Sequence, residues 1–189
     1  MQATSRTLSY TPFSITNYEF SNLAHEDAKT SIYPHLFNCT PDALTFEDMS
    51  EGDKWRKWDV ERSIDRVVSV NTTRTRAPLV IEVQERFRRV DYAHMRDLTL
   101  SEWNNNTNIP SEMFKIRAGI FLCGYYDPQN GFGEVVAVAT QALLIAIASG
   151  MMEIEDKHRR LNKRSNQDFL AFKFDTLIKA GCVVWHKPP

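Results

Sequence analysis

Residues 79–87 read Leu-Val-Ile-Glu-Val-Gln-Glu-Arg-Phe, an order that leaves little choice of local structure. In an extended chain Ile81, Val83 and Phe87 share one face, while Glu82, Gln84, Arg86 and Arg88 share the other. The pattern predicts a half-buried strand. A second β-type run, Ile-Asp-Arg-Val-Val-Ser-Val at 64–70, precedes it, and the polar loop between the two ends in Pro78. The later strand sets a carboxylate, an amide and guanidiniums in a row, opposite an earlier strand that opens with Asp65. One acid on each of two neighbouring strands is a donor pair suited to a divalent cation. The same residues also fit the solvated face of an antiparallel strand, with Glu and Arg paired across it.

The rest of the chain sets the bounds within which that site must work. At 189 residues and 42% apolar, the sequence predicts a single domain over 1–189 with a core of adequate size. A net charge of −1 names no partner. The distribution is uneven: residues 1–53 hold only Arg6 and Lys29 against eight acids, and the balance reverses afterwards. Arg74, Arg76, Arg86, Arg88, Arg89 and Arg96 gather around the two strands, and Lys157, Arg159, Arg160, Lys163 and Arg164 form a second basic cluster. Cys39, Cys123 and Cys182 are too widely spaced for a zinc motif or a disulfide framework and read as free thiols in a reducing compartment. With no apolar leader and no long apolar span, the chain is expected to be intracellular, cytoplasmic or nucleic-acid-associated, not secreted and not in a membrane.

Taken in order, a helix is expected around residues 23–33, stopped by Pro34, with His25, Glu26 and Asp27 as further residues able to reach a metal. Residues 91–103 read as a short helix or irregular crossing, and Ser111 as the cap of a helical turn. Residues 116–126 and 134–139 form a predicted hairpin around Asp127-Pro128-Gln129-Asn130-Gly131. Helices are expected from Thr140 and across 167–180, where Phe169, Phe172, Leu177 and Ala180 recur at helical spacing, and a short strand over 182–185. This order describes an α/β protein built on one mixed sheet flanked by helices.

The two central strands resemble those of the PD-(D/E)xK nuclease superfamily, which has the restriction-endonuclease-like fold. Ser63-Ile64-Asp65-Arg66-Val67-Val68 matches the strand that bears the first acid, and Leu79-Val80-Ile81-Glu82-Val83-Gln84 the strand that bears the (D/E)xK element. The resemblance implies that Asp65 and Glu82 are metal ligands, that the carbonyl of Val83 completes the set, and that Gln84 stands at the lysine position. Two departures accompany it: no proline precedes Asp65, and the neutral Gln84 replaces a cation. Arg86, one step along the same face, is the favoured substitute, with Lys115 as another source of charge.

The implied activity is Mg²⁺- or Mn²⁺-dependent hydrolysis of phosphodiester bonds in DNA, by an endonuclease of restriction, repair or recombination type. A bound ion would supply both a hydroxide nucleophile and a counter-charge for the transition state. Arg74, Arg76, Arg88, Arg89 and Lys115 would hold the nucleic-acid backbone, and Trp58, Tyr92 and Trp103 fit either a place in the core or a stacking contact with bases. The alternative is a non-catalytic nucleic-acid-binding or assembly protein on the same scaffold, and either reading allows a homodimer. The sequence carries no glycine-rich phosphate loop, G-x-S-x-G elbow or H-E-x-x-H motif, which removes the chemistries those motifs serve.

Overall fold

The structure is a computed structural model that describes residues 16–49, 61–72, 76–155, 158–163 and 166–189. Helix α1 (Asn17–Ser31) begins at a capping box: Thr16 Oγ1 accepts from the Glu19 N–H at 3.2 Å, and Glu19 Oε2 accepts from the Thr16 N–H at 2.8 Å. Phe20, Ala24 and Ala28 form its buried stripe, and α2 (Tyr33–Phe37) follows directly. Three strands then follow, each antiparallel to the one before it: β1 (Leu44–Asp48), β2 (Arg66–Val70) and β3 (Leu79–Arg89). The remaining elements are β4 (Asp97–Asn104), β5 (Ile109–Pro110), α3 (Glu112–Lys115), β6 (Ile120–Asp127), β7 (Gly131–Ala139), α4 (Thr140–Ala148), β8 (Arg159–Asn162), β9 (Gln167–Lys173), α5 (Phe174–Lys179) and β10 (Val183–Lys187).

The chain is mixed α/β, as expected, but it has two sheets where one was expected. The first is six-stranded, in the order β1-β2-β3-β6-β7-β10, and only β3 and β6 are parallel. A parallel neighbour needs a crossover, and residues 90–119 provide it. The second sheet, β5-β4-β9-β8, is antiparallel throughout and takes its first two strands from that crossover. Of the short helix or irregular crossing expected over 91–103, a 3-10 helix at Val90–Met95 is present, and the rest is the strand Asp97–Asn104. The helix expected over 167–180 is divided into β9 and the short α5, because pairing with β4 claims its first half. The strand expected over 64–70 begins at Arg66, after a left-handed turn at Ser63 with φ 51°.

Layering follows from strand alternation. On one side of the six-stranded sheet, Val68, Val70, Val83, Leu122, Val135 and Ala137 pack under α1 and α2. On the other side, Val67, Phe121, Cys123, Tyr125 and Val138 meet Leu98, Leu100, Leu170 and Phe172 of the second sheet, with Leu143 of α4 and Leu177 of α5. β3 thus lies between two different environments. Its odd-numbered side chains face α1, and its even-numbered ones face the second sheet. Among the described residues no helix is long and apolar enough to cross a membrane.

Candidate active site

Asp65 sits immediately ahead of β2, where the backbone still makes ladder bonds. Its N–H donates to the Val83 carbonyl at 3.0 Å, and its carbonyl accepts from the Met49 N–H at 2.9 Å. Its carboxylate turns across to β3 and accepts from the Glu85 N–H at 2.7 Å. Glu85 shares the α1-facing side of β3 with Val83 and Phe87, and its side chain is fully buried. A buried carboxylate must be answered by donors. Glu85 accepts from the Tyr33 hydroxyl, pairs with His25 Nδ1 of α1, and accepts from Arg66 Nε at 3.2 Å.

Arg66, only 2% exposed, continues from Glu85 to the end of β1, where its Nη2 lies 3.1 Å from Asp48 Oδ1. Its Nη1 is buried and has no hydrogen-bond partner. Lys29 of α1 reaches the same Asp48 at 3.6 Å. Four elements, α1, β1, β2 and β3, therefore deliver charge to one cavity of about 480 Å³, open to solvent beside His25, Asp48, Asp65, Arg66 and Glu85.

The electrostatics follow from this packing. Burial alone would raise the carboxyl pKa of Glu85, but the hydrogen bond from His25 and the charge of Arg66 outweigh it and hold the group below its ordinary value. For His25, burial opposes the imidazolium, yet bonding to Glu85 prevails and raises its pKa. Tyr33 is pushed well above its usual value, first by burial and then by the adjacent Glu85 charge, so it stays a donor.

This arrangement redistributes the residues expected from sequence. Asp65 is in the cavity, but its partner is Glu85, not Glu82. Glu82 pairs in register with Val67 and lies on the opposite face of β3. The Val83 carbonyl accepts from the Asp65 N–H and is spent there rather than offered to an ion. Gln84 is buried against the second sheet with Oε1 unpartnered, so it does not occupy a lysine position beside Asp65. Arg86, also on that side, donates to both Glu112 oxygens at 2.8 Å and to the Thr99 carbonyl at 2.7 Å.

Of the residues expected on nucleic acid, Arg88 is held by Asp97 at 2.5 Å and Arg89 lies over the Phe20 ring at 4.5 Å. Arg76 is exposed in the loop before β3, Lys115 is half-buried at the end of α3, and Arg74 and Trp58 lie outside the described residues. The residues that sequence reading passed over are Glu85, Arg66, Tyr33 and Asp48. For Glu85 the signal was present: a carboxylate in the apolar phase of a strand requires a buried partner.

The fold and cavity define a mixed α/β protein with a charged site between its first helix and its main sheet. Comparison with protein-family models, with curated proteins and with solved structures gives no match. Among the described residues no three His, Cys, Asp or Glu side chains are grouped so as to hold an ion as they stand.

Proposed function

We propose that the cavity beneath α1 is a phosphodiester-hydrolysing site of PD-(D/E)xK type, with Glu85 in the role first assigned to Glu82. The observation that carries this reading is the joining of Asp65 to Glu85 at the cavity, an acid ahead of β2 bonded to an acid-bearing position of β3. Supporting it is the element order, a helix and three antiparallel strands followed by a strand parallel to the third.

The donor chemistry suits a hard divalent cation. Asp65 and Glu85 offer carboxylate oxygens, and these two would hold Mg²⁺ or Mn²⁺ with waters completing the shell. The ion would supply an activated water at neutral pH. The chain's own contribution is positional and electrostatic. Arg66, ion-paired to Glu85 and Asp48 in the cavity wall, provides the cation that Gln84 does not. Tyr33 fixes the Glu85 carboxylate, and the Asp65 carboxylate holds the backbone N–H of the same residue.

The test is a cleavage assay on single-stranded, duplex and branched DNA and on RNA, with Mg²⁺, Mn²⁺ or a chelator. Cutting is expected only with metal. Glu85→Gln removes it by at least about a hundredfold, whereas Glu82→Gln, on the far face, retains it. Gln84→Lys gives no gain. Retained cutting in Glu85→Gln, or cutting in chelator, sinks the proposal.

One observation favours a second reading, a nucleic-acid-binding or assembly protein without chemistry. Glu85 already spends its carboxylate on His25, Tyr33 and Arg66, so the site is neutralised by protein groups alone. Tight binding with no cutting on any substrate selects it.

A further inference from the structure

The cavity at Asp65 and Glu85 does not end at α1. It shares Ser21 with a second depression of about 370 Å³, beside Phe20, Phe87 and Arg89. That depression shares Arg88 and Tyr92 with a third, of about 280 Å³, which opens onto the second sheet at Asp97, Arg160 and Phe169. The three hollows adjoin one another through these shared walls and mark out a track across the end of β3, from one face of the main sheet to the other.

We infer that this track binds single-stranded nucleic acid, threading it from the proposed hydrolytic cavity to the second sheet. The inference rests on the nuclease reading for the cavity at its start. Beyond the acid-rich first hollow, charge along the track is predominantly basic. Arg89, Arg88, Arg86 and Arg160 line it, and Asp97 is the acid in its third hollow. Asp97 holds Arg88 at 2.5 Å and Arg160 at 3.7 Å, so it fixes these guanidiniums in the hollow more than it cancels them.

Aromatic faces alternate with the charges. Tyr92 is 48% exposed and has the Arg88 guanidinium over its ring at 5.5 Å, while Phe169 lines the next hollow. A cationic groove interleaved with exposed rings is what an unpaired strand requires, because its bases are free to stack. In a duplex those ring faces are already covered by neighbouring bases. Asp97 Oδ2 faces Arg160 Nη1 at 3.7 Å and Lys173 Nζ at 3.9 Å, so a third cation joins Arg88 and Arg160 around this one carboxylate.

The test is binding measured by fluorescence anisotropy in chelator, so that nothing is cut. The probes are a labelled oligothymidylate, the same length as duplex, and thymidine monophosphate as competitor. The single strand is expected to bind more tightly than the duplex. Tyr92→Ala and Arg160→Gln are each expected to weaken the single strand about tenfold, and Arg160→Gln to reduce its salt slope by about 0.7. Thermal melting confirms that both variants fold.

Wild-type affinity in both folded variants, equal affinity for duplex, or complete displacement by the mononucleotide at matched nucleotide concentration would each overturn the track. Metal-dependent cutting with unchanged binding in the variants leaves the hydrolytic site standing and removes the track. Weakened binding in the variants of a protein that never cuts does the reverse.

Discussion

Glu85 and His25 titrate against one another, and their opposite shifts give the folded protein a pH signature. Glu85 is held below its ordinary value of 4.5, so its contribution is present above 4.5 and lost as pH falls through the lowered value. His25 is held above its ordinary value of 6.5, so its contribution is full below 6.5 and lost as pH rises through the raised value. The pair therefore stabilises most between those two ordinary values. In urea titrations with chelator, the midpoint difference between wild type and His25→Gln should be widest in that window and should narrow in alkaline solution. A difference that stays constant into alkali would mean that His25 acts by packing and not by charge. A smaller part of this site was legible one residue at a time. Asp65 and His25 were both visible as candidates, and the alternation of β3 was correct. Glu85 was not singled out, because a polar residue in the apolar phase looks like an interruption until Tyr33 and Arg66 are seen behind it.

At the scale of elements, β6 and β7 set the spacing of the main sheet, and Gly124 fixes how closely they approach. A Cβ there would lie 2.7 Å from Val135 Cγ2, 3.2 Å from Val135 Cβ and 3.1 Å from the Glu134 carbonyl. Val135 is fully buried and cannot swing away, and the third contact is backbone. Gly124→Ala is expected to destabilise by about 1–3 kcal/mol, measured by urea unfolding. An unchanged midpoint would show that the bulge between Gly124 and Tyr126 can absorb the strain.

Elements whose partners are near in sequence were readable, as the β6–β7 hairpin shows; the first helix was found, but it spans Asn17–Ser31 and Pro34 opens α2 instead of ending the helix. β9 was not readable. Phe169, Phe172 and Leu177 fit a helical stripe, and only the register Leu98↔Phe172 and Leu100↔Leu170 with β4, about 70 residues earlier, decides for strand.

For the whole molecule, the crossover between β3 and β6 serves two layers at once. It makes the parallel pair possible and also supplies half of the second sheet, so α1 and that sheet cover opposite faces of β3. The single-sheet expectation failed at this scale because a crossover that is itself a sheet leaves no local mark in the sequence.

A sheet added in this way has two borders of its own, and both are poor templates for another chain. β5 is two residues long and ends in Pro110, which has no N–H to give. β8 is exposed throughout and presents Arg159, Arg160 and Asn162. With Arg159 and Asn162 both changed to valine, sedimentation velocity should show a rise in sedimentation coefficient with concentration that wild type lacks. Identical behaviour of the two proteins would mean that β8 is not what prevents sideways growth. The arginines of β8 would then serve only the hollow beside them. Otherwise they also act as a guard rail, keeping an unfinished hydrogen-bond row from recruiting its like into a fibre.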